Sequence, residues 1–289
     1  MLSIERLNHT TLRSYLLLVK PALRQQLLEQ AADQPLCMWG AAFWGQPAGA
    51  AVAALGNTAD LLDLYVLPAY RRAGIAAALL TAIETNLAQH DVTAVQALYR
   101  ADEHTDAWHA LLTKAGWGQP EVTSRVFWTC RTVRGAAWVA RYKFRPPYEV
   151  FTWTDLTAAE EAQIAKRGEE GWYPPHFSPF NRPMTAWDPE TSVGLRYHDK
   201  VVGWVLAMRE APDRRFVEIM FVDPPLQQLG RGFMLVGESI RRYYSGAGNY
   251  AYWRVHPDNE PMLRWSRRAF GEHLADEYDE WYSKKALTR

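Results

Sequence analysis

Apolar residues recur along this chain with two periods, and the periods alternate. Val217, Ile219 and Phe221 interleave with Glu218, Met220 and Val222, the two-residue period of a strand, and Leu61 to Val66 reads as a similar strand. Each is followed by helical spacing. Ile75, Leu79, Leu80, Ile83 and Leu87 form one apolar stripe, and Phe233, Val236 and Ile240 form the other. Upstream, Met38 to Leu55 predicts two strands joined at Gly45-Gln46-Pro47, and Ser192 to Arg209 predicts another pair turning at His198-Asp199-Lys200. Downstream come a strand (Val92 to Tyr99; Tyr250 to Val255), a helix (Asp106 to Ala115; Glu260 to Ala269) and a closing strand (Val122 to Trp128; Tyr278 to Ser283). Alternating strands and helices in each half predict two α/β units.

The halves also share a motif. Val66-Leu67-Pro68-Ala69-Tyr70-Arg71-Arg72-Ala73-Gly74-Ile75-Ala76 and Val222-Asp223-Pro224-Pro225-Leu226-Gln227-Gln228-Leu229-Gly230-Arg231-Gly232 both read V-x-P-x-x-(R/Q)-x-x-G-x-(A/G). Every matched position is displaced by the same 156 residues (222 − 66), the length of a domain. The repeat predicts an N-terminal domain over 1–135, a linker over 136–148 and a C-terminal domain over 149–289. The join carries Arg131, Arg134, Arg141, Lys143 and Arg145 before Pro146-Pro147, as an anion-attracting patch or a solvated connector that adds a strand.

Composition narrows the classes. With 289 residues, 48% of them hydrophobic, the chain can fill two cores. Thirty-two basic residues balance 32 acidic ones, which argues against nucleic acid or an anionic membrane as partner. Cys37 and Cys130 are too few for a disulfide framework or a zinc site and suit a reducing, cytoplasmic setting, with no metal expected. The start, MLSIERLNHT, lacks a secretory pattern, and no apolar run approaches the ~20 residues of a membrane span.

A strand, a glycine-bearing loop and a helix start make a phosphate site, because first-turn amides lack internal partners and the helix dipole favours negative charge. Gly230 and Gly232 keep side chains out of the way, and Arg71, Arg72 and Arg231 can add charge-assisted bonds. The G-x-x-x-x-G-K-(S/T) loop is absent, and the glycine pattern is too short and too late for a dinucleotide fold.

The motif, with its preceding hairpin and following helix, resembles the acyl-CoA loop of the GNAT acetyltransferase superfamily. The resemblance spans nearly the whole chain as two tandem copies, similar in organisation to mycothiol synthase-like members. It implies two GNAT-like domains, each a mixed, mostly antiparallel sheet flanked by helices. It also implies acetyl-CoA, or another acyl-CoA, with its pyrophosphate on Arg71, Arg72, Ala73, Gly74, Ile75 and Ala76 and on Gln227, Gln228, Leu229, Gly230, Arg231 and Gly232. The pantetheine arm would run beside Val66 and Val222, where the motif strand splays from the next. The family's Asn falls on Asn259, but its general-acid Tyr falls on Ser266; in the first half the two places hold Thr105 and Leu112. The helix-ending Gly-Phe stands as Gly116-Trp117 and, reversed, as Phe270-Gly271.

An amine acceptor, with a pKa of about 10.4 for a lysine-like group, must shed a proton before attack, whereas a thiolate leaving group of pKa about 8.5 needs little acid help. Glu218, four residues before Val222 and expected on its face, is the candidate base, with His256 at the end of the next strand. Asp60 is the first half's candidate, while Ala41 to Ala54 suits a packed wall. Trp172, Tyr173, His176 and Phe177, within a stiff aromatic and proline run to Phe180, are the candidate acceptor wall. No cysteine sits beside either motif, so direct attack is expected. The expected function is acetyl transfer to a small-molecule amine, with the C-terminal half catalytic, in a monomer or homodimer. An acyl-CoA sensor without turnover and an unoccupied structural duplication are the alternatives.

Overall fold

A computed structural model describes residues 1–29, 36–227, 229–246 and 248–287. In chain order the elements are β1 (Leu2–Arg6), α1 (Pro21–Glu29), β2 (Leu36–Phe43), β3 (Gln46–Ala54), β4 (Thr58–Val66), α2 (Ile75–Gln89), β5 (Ala94–Arg100), α3 (Thr105–Lys114) and β6 (Glu121–Cys130). There follow α4 (Ala137–Arg141), β7 (Tyr148–Thr152), α5 (Ala158–Glu169), β8 (Val193–Tyr197), β9 (Lys200–Ala211), β10 (Arg214–Val222), α6 (Pro224–Gln227), α7 (Arg231–Tyr243), β11 (Tyr250–Val255), α8 (Glu260–Phe270) and β12 (Leu274–Ala286). Among the described residues no helix is long and apolar enough to cross a membrane.

Two compact units emerge: Met1–Thr123 with Asp279–Arg289, and Ser124–Tyr278. In the first, β1, β2, β3 and β4 pair antiparallel in sequence order, and β5 joins β4 in parallel. In the second, β7, β8, β9 and β10 repeat that order, with β11 parallel to β10. The sheets are mixed and mostly antiparallel, with helices on their faces.

The closing strands correct the sequence reading. The strand expected to finish the second half pairs instead with β5 of the first unit, Glu280 to Ala286 running against Arg100 to Ala94. The strand expected to finish the first half, β6, pairs with β11 of the second unit, Tyr250 opposite Cys130 through Val255 opposite Arg125. Alternation identifies a strand and its apolar face but carries no information about which equivalent edge it joins. The linker expectation also changes. Val133 and Val139 are 0% exposed in the core of the second unit, so the segment folds as a turn and α4 and is more than a solvated connector.

Local chemistry explains the remaining elements. The β2–β3 hairpin turns at Trp44-Gly45 (φ +52° and +77°) and the β8–β9 hairpin at His198-Asp199 (φ +45° and +59°). These left-handed pairs match the twist of the strands they join. Strand β3 is buried along both faces from Ala48 to Ala54, which accounts for its alanines. Ile75, Leu79, Leu80, Ile83 and Leu87 of α2, none above 1% exposed, fill the first core, and Trp153, Trp204 and Phe221 anchor one of the second unit's. Helix α5 opens on a capping box between Thr157 and Glu160, whose carboxylate also takes Arg196 Nε at 2.6 Å.

The Arg196 hydrogen bond, outweighing partial burial, holds Glu160 down at about 2. A carboxylate depressed in the folded state stabilises above its unfolded pKa and loses that contribution as it protonates. We therefore expect on the order of 2 kcal/mol to vanish between about pH 4.5 and about pH 2. Urea denaturation across that range should show the loss, and Glu160→Gln should flatten it.

Candidate active site

The site begins where two neighbouring strands stop pairing. Strands β10 and β11 share only Arg214 to Phe216 with Tyr250 to Tyr252, although β10 continues to Val222 and β11 to Val255. A bulge contributes to the parting. Val217 faces Ala207 and Ile219 faces Leu206, leaving Glu218 as the extra residue of β10. The first unit repeats the device. Strands β4 and β5 pair only from Thr58 to Asp60, and Leu62 is the extra residue between Asp63 and Leu61. Leu62 lies 156 residues (218 − 62) before Glu218, so the motifs and bulges superpose in sequence, but only the second unit places a carboxylate there.

A cleft of about 840 Å³ occupies the opening in the second unit. Gly230 at φ +70° caps α7 and, with Gly232, borders one end. A Cβ built on Gly230 would project into open space, as it would on Gly74 (φ +78°), so the glycines serve the left-handed turn and leave room above the helix N-terminus. This is a cradle that fits a diphosphate, whose oxygens can take the first-turn amides.

The motif side chains do less than the sequence suggests. Gln227 Nε2 donates to the carbonyl of Val222 at 2.7 Å, and Arg71 Nε donates to that of Val66 at 3.2 Å. The shared Arg/Gln position thus closes the end of each motif strand. Arg231 folds back, its guanidinium 4.7 Å above the Tyr148 ring and its Nε buried without a partner, so it does not extend towards a bound anion. Val222 and Val66 are buried, as is Ile75, while Ala76 is half-buried. Leu229 is exposed, as are Arg71, Arg72, Ala73 and Gly74 in the first loop, and Gln228 lies outside the described residues.

Glu218 and His256 both line the cleft, and His256 is 66% exposed at its rim, 3.7 Å from Asp258. The bulge alters one expectation. Glu218 meets Arg182 Nε at 2.6 Å, on the side of the segment carrying Phe177 and Phe180, whereas Val222 packs with Leu235 and Val236 of α7. The two do not share a face, because the extra residue breaks the alternation between them. Arg182 was missed in the sequence, and an arginine 36 positions away carries no signal of that pairing.

The aromatic run divides. His176 and Phe177 line the cleft, and Trp204 Nε1 donates to the carbonyl of Phe177 at 3.2 Å, which holds the segment in place. Trp172 and Tyr173 pack instead on Trp204 and Phe221, with the Arg167 guanidinium 3.3 Å over the Trp172 ring, and brace the wall from behind. Asn259 borders the cleft while its Oδ1 caps α8 by accepting from Met262 N at 3.2 Å. Ser266 is wholly buried and accepts from Trp253 Nε1 at 3.0 Å. Tyr244, deeper in the cleft, is pushed far up chiefly by burial, so no tyrosine at that depth is poised to ionise. In the first unit Asp60 accepts from Gln96 Nε2 at 2.7 Å, and the two residues form the last pair before the strands part. Cys37 and Cys130 are free thiols outside the cleft lining.

The profile of the Acetyltransferase (GNAT) family matches residues 4–117 and 153–271. The chain belongs to the GNAT acetyltransferase family. Acyl transfer is the chemistry of this family, and its members bind acyl-CoA. No curated protein sequence matches the chain. Among solved structures, a tandem GNAT protein from the clavulanic acid biosynthesis pathway aligns with 100% of this chain and 99% of its own, at 17% identity and a TM-score of 0.62. A GCN5-related N-acetyltransferase from Sphaerobacter thermophilus aligns over 100% and 96%, at 15% identity and a TM-score of 0.65. These likenesses establish the tandem GNAT fold.

The shared strand-end contact gives a direct test. Gln227→Ala should cost about 1 kcal/mol by stranding the Val222 carbonyl. Gln227→Arg, which places in the second motif the residue that does this work in the first, should recover most of it in urea melts.

Proposed function

We propose that this chain is an acetyl-CoA-dependent N-acetyltransferase acting on an amine of a small molecule, with turnover in the second unit. One observation carries the reading. A carboxylate, Glu218, stands on the bulge that opens a cleft leading to the Gly230 turn, and the equivalent position of the first unit holds Leu62. The first unit then serves as framework or as a binding site without turnover.

The amides of Arg231, Gly232 and Phe233 would hold the diphosphate at the start of α7, and the cofactor supplies an activated acyl group as a thioester. Glu218 accepts the proton that the ammonium group must lose, directly or through water, and Arg182 fixes its carboxylate. His256 at the rim offers a second acceptor for that proton, and His176 and Phe177 border the approach of the amine. The amine nitrogen forms the new C–N bond, the C–S bond breaks, and the sulfur leaves with the electron pair. A thiol of pKa about 8.5 needs little acid help, so serine at position 266 is compatible with turnover. Neither cysteine lines the cleft, which supports direct attack over a covalent enzyme intermediate.

A sensor that binds acyl-CoA without turnover is the second reading, favoured by Ser266 in the tyrosine's place. Thiol release with acetyl-CoA and a panel of small amines separates the two. We expect release with at least one amine, a fall in kcat of about 10²–10⁴-fold in Glu218→Gln, and loss of the CoA-induced rise in Tm in Gly230→Trp. Gly74→Trp should retain turnover. Abolition of turnover by the Gly74 change alone would move catalysis to the first unit, and a Tm rise without thiol release would favour the sensor.

A further inference from the structure

We infer that the cleft of the second unit holds an aliphatic acyl group longer than acetyl, its tail lying in an inner arm beneath α7. The inference rests on the acyl-CoA part of the reading above and puts a longer acyl group in the place that acetyl holds there.

The cleft does not end at Glu218. It continues along β10 past the parting, towards Arg215 and Ala251 on the stretch where the strands still pair. There Ala207, Val217, Val236, Ile240, Tyr244 and Ala251 wall it. Exposure falls steeply along its length. His256 at the rim is 66% exposed, whereas Ile240 and Ala251 are at 8%, Ala207 at 1% and Tyr244 at 0%. The arm therefore closes inside the unit, and a two-carbon acetyl group has no use for that depth.

The walls also specify polarity, because the hydroxyl protons in the arm are already engaged and Arg215 is paired with a carboxylate. Ser239 Oγ donates to the Thr191 carbonyl at 2.7 Å, and Thr191 Oγ1 donates to Asp188 at 2.6 Å. Thr129 Oγ1 donates to the His273 carbonyl at 3.0 Å, and Tyr244 donates to the Thr129 carbonyl at 3.3 Å. Tyr243 donates to the carbonyls of Asp213 and Tyr250 at 2.6 and 2.7 Å. Arg215, 2% exposed, is neutralised by Asp188, whose Oδ2 lies 2.9 Å from its Nε without hydrogen-bond geometry, and its Nη1 donates to the Ala211 carbonyl at 3.0 Å. A tail ending in a carboxylate or hydroxyl would lose its water and find the hydroxyl protons taken and Arg215 already neutralised, so the arm suits methylenes.

The arrangement also separates the two substrates. Glu218 and Arg182 lie on the side of Phe177, whereas the arm lies on the side of α7, so the amine and the tail approach the parting from opposite faces. The bond chemistry is that of acetyl transfer. The amine nitrogen bonds to the acyl carbon, the C–S bond breaks with its electrons on sulfur, and the amine's proton passes by way of Glu218 to solvent or the departing sulfur.

Binding tests this without a known acceptor. The full chain is titrated calorimetrically with CoA and with the non-transferable thioethers S-ethyl-, S-butyl- and S-hexyl-CoA. Affinity should rise about fourfold per methylene, about 250-fold over the four methylenes from ethyl to hexyl. Ala251→Val and Ala251→Leu, which narrow the arm in two steps, should lower the hexyl-to-ethyl affinity ratio stepwise, with Ala251→Val keeping the measurement open if the larger change does not fold. Binding of CoA with no gain, or a loss, from ethyl to hexyl would overturn the inference and leave acetyl transfer standing. Failure of CoA and every thioether to bind would overturn the acyl-CoA reading itself.

Discussion

The second unit depends on an interruption of hydrogen bonding between two parallel strands. Backbone amides and carbonyls in a sheet interior must find partners, and a β-strand ordinarily finds them in its neighbour. Past Phe216 and Tyr252 that pairing stops, and the bulge at Glu218 turns the strand away. The parting makes a slot whose sides present backbone groups, suited to an extended ligand with amides of its own. It also exposes the interior beneath α7, which a continuous sheet would seal. The Gly230 turn, the Glu218 carboxylate and the buried residues beneath α7 share one cleft because those strands part.

The two units show one backbone device carrying different side chains. Both motif strands bulge, both part from their neighbour after three residue pairs, and both lead through a left-handed glycine into a helix. The second unit puts Glu218 on the bulge and lines the opening with Phe233, Trp265 and Met262. The first unit puts Leu62 there, ties Asp60 to Gln96, and stacks Tyr99 on Trp108 at 5.4 Å between ring centres. Duplication preserved the geometry that needs glycine and a register shift, which few residues satisfy. It left free the side chains, which any residue of suitable size and polarity can replace.

Much of this was legible in the residues. The repeat marks the loop because left-handed backbone at Gly74 and Gly230 selects glycine, and a fixed spacing of special residues survives when the rest diverges. The apolar stripes of α2 and α7 mark helices because one face of each is buried, and Glu218 on the motif strand lines the cleft as its position in the repeat predicts. The partners of those residues were not legible. Arg182 meets Glu218 through a loop whose course depends on Trp187 and Trp204 holding it by indole hydrogen bonds. Trp172 and Tyr173 have the composition of a binding wall and the position of core residues, and composition does not tell these apart.

The amino-acid sequence by itself determined what is local: the duplicated order of elements, the glycine turns and the residue types beside them, since each follows from backbone preference and burial over a few neighbouring positions. Tertiary structure alone decided which edge each closing strand joins, which face Glu218 presents after the bulge, and how deep the cleft runs beneath α7. Those outcomes depend on register and on packing between distant segments, where many sequences satisfy one geometry and a one-residue shift reverses a side chain's direction.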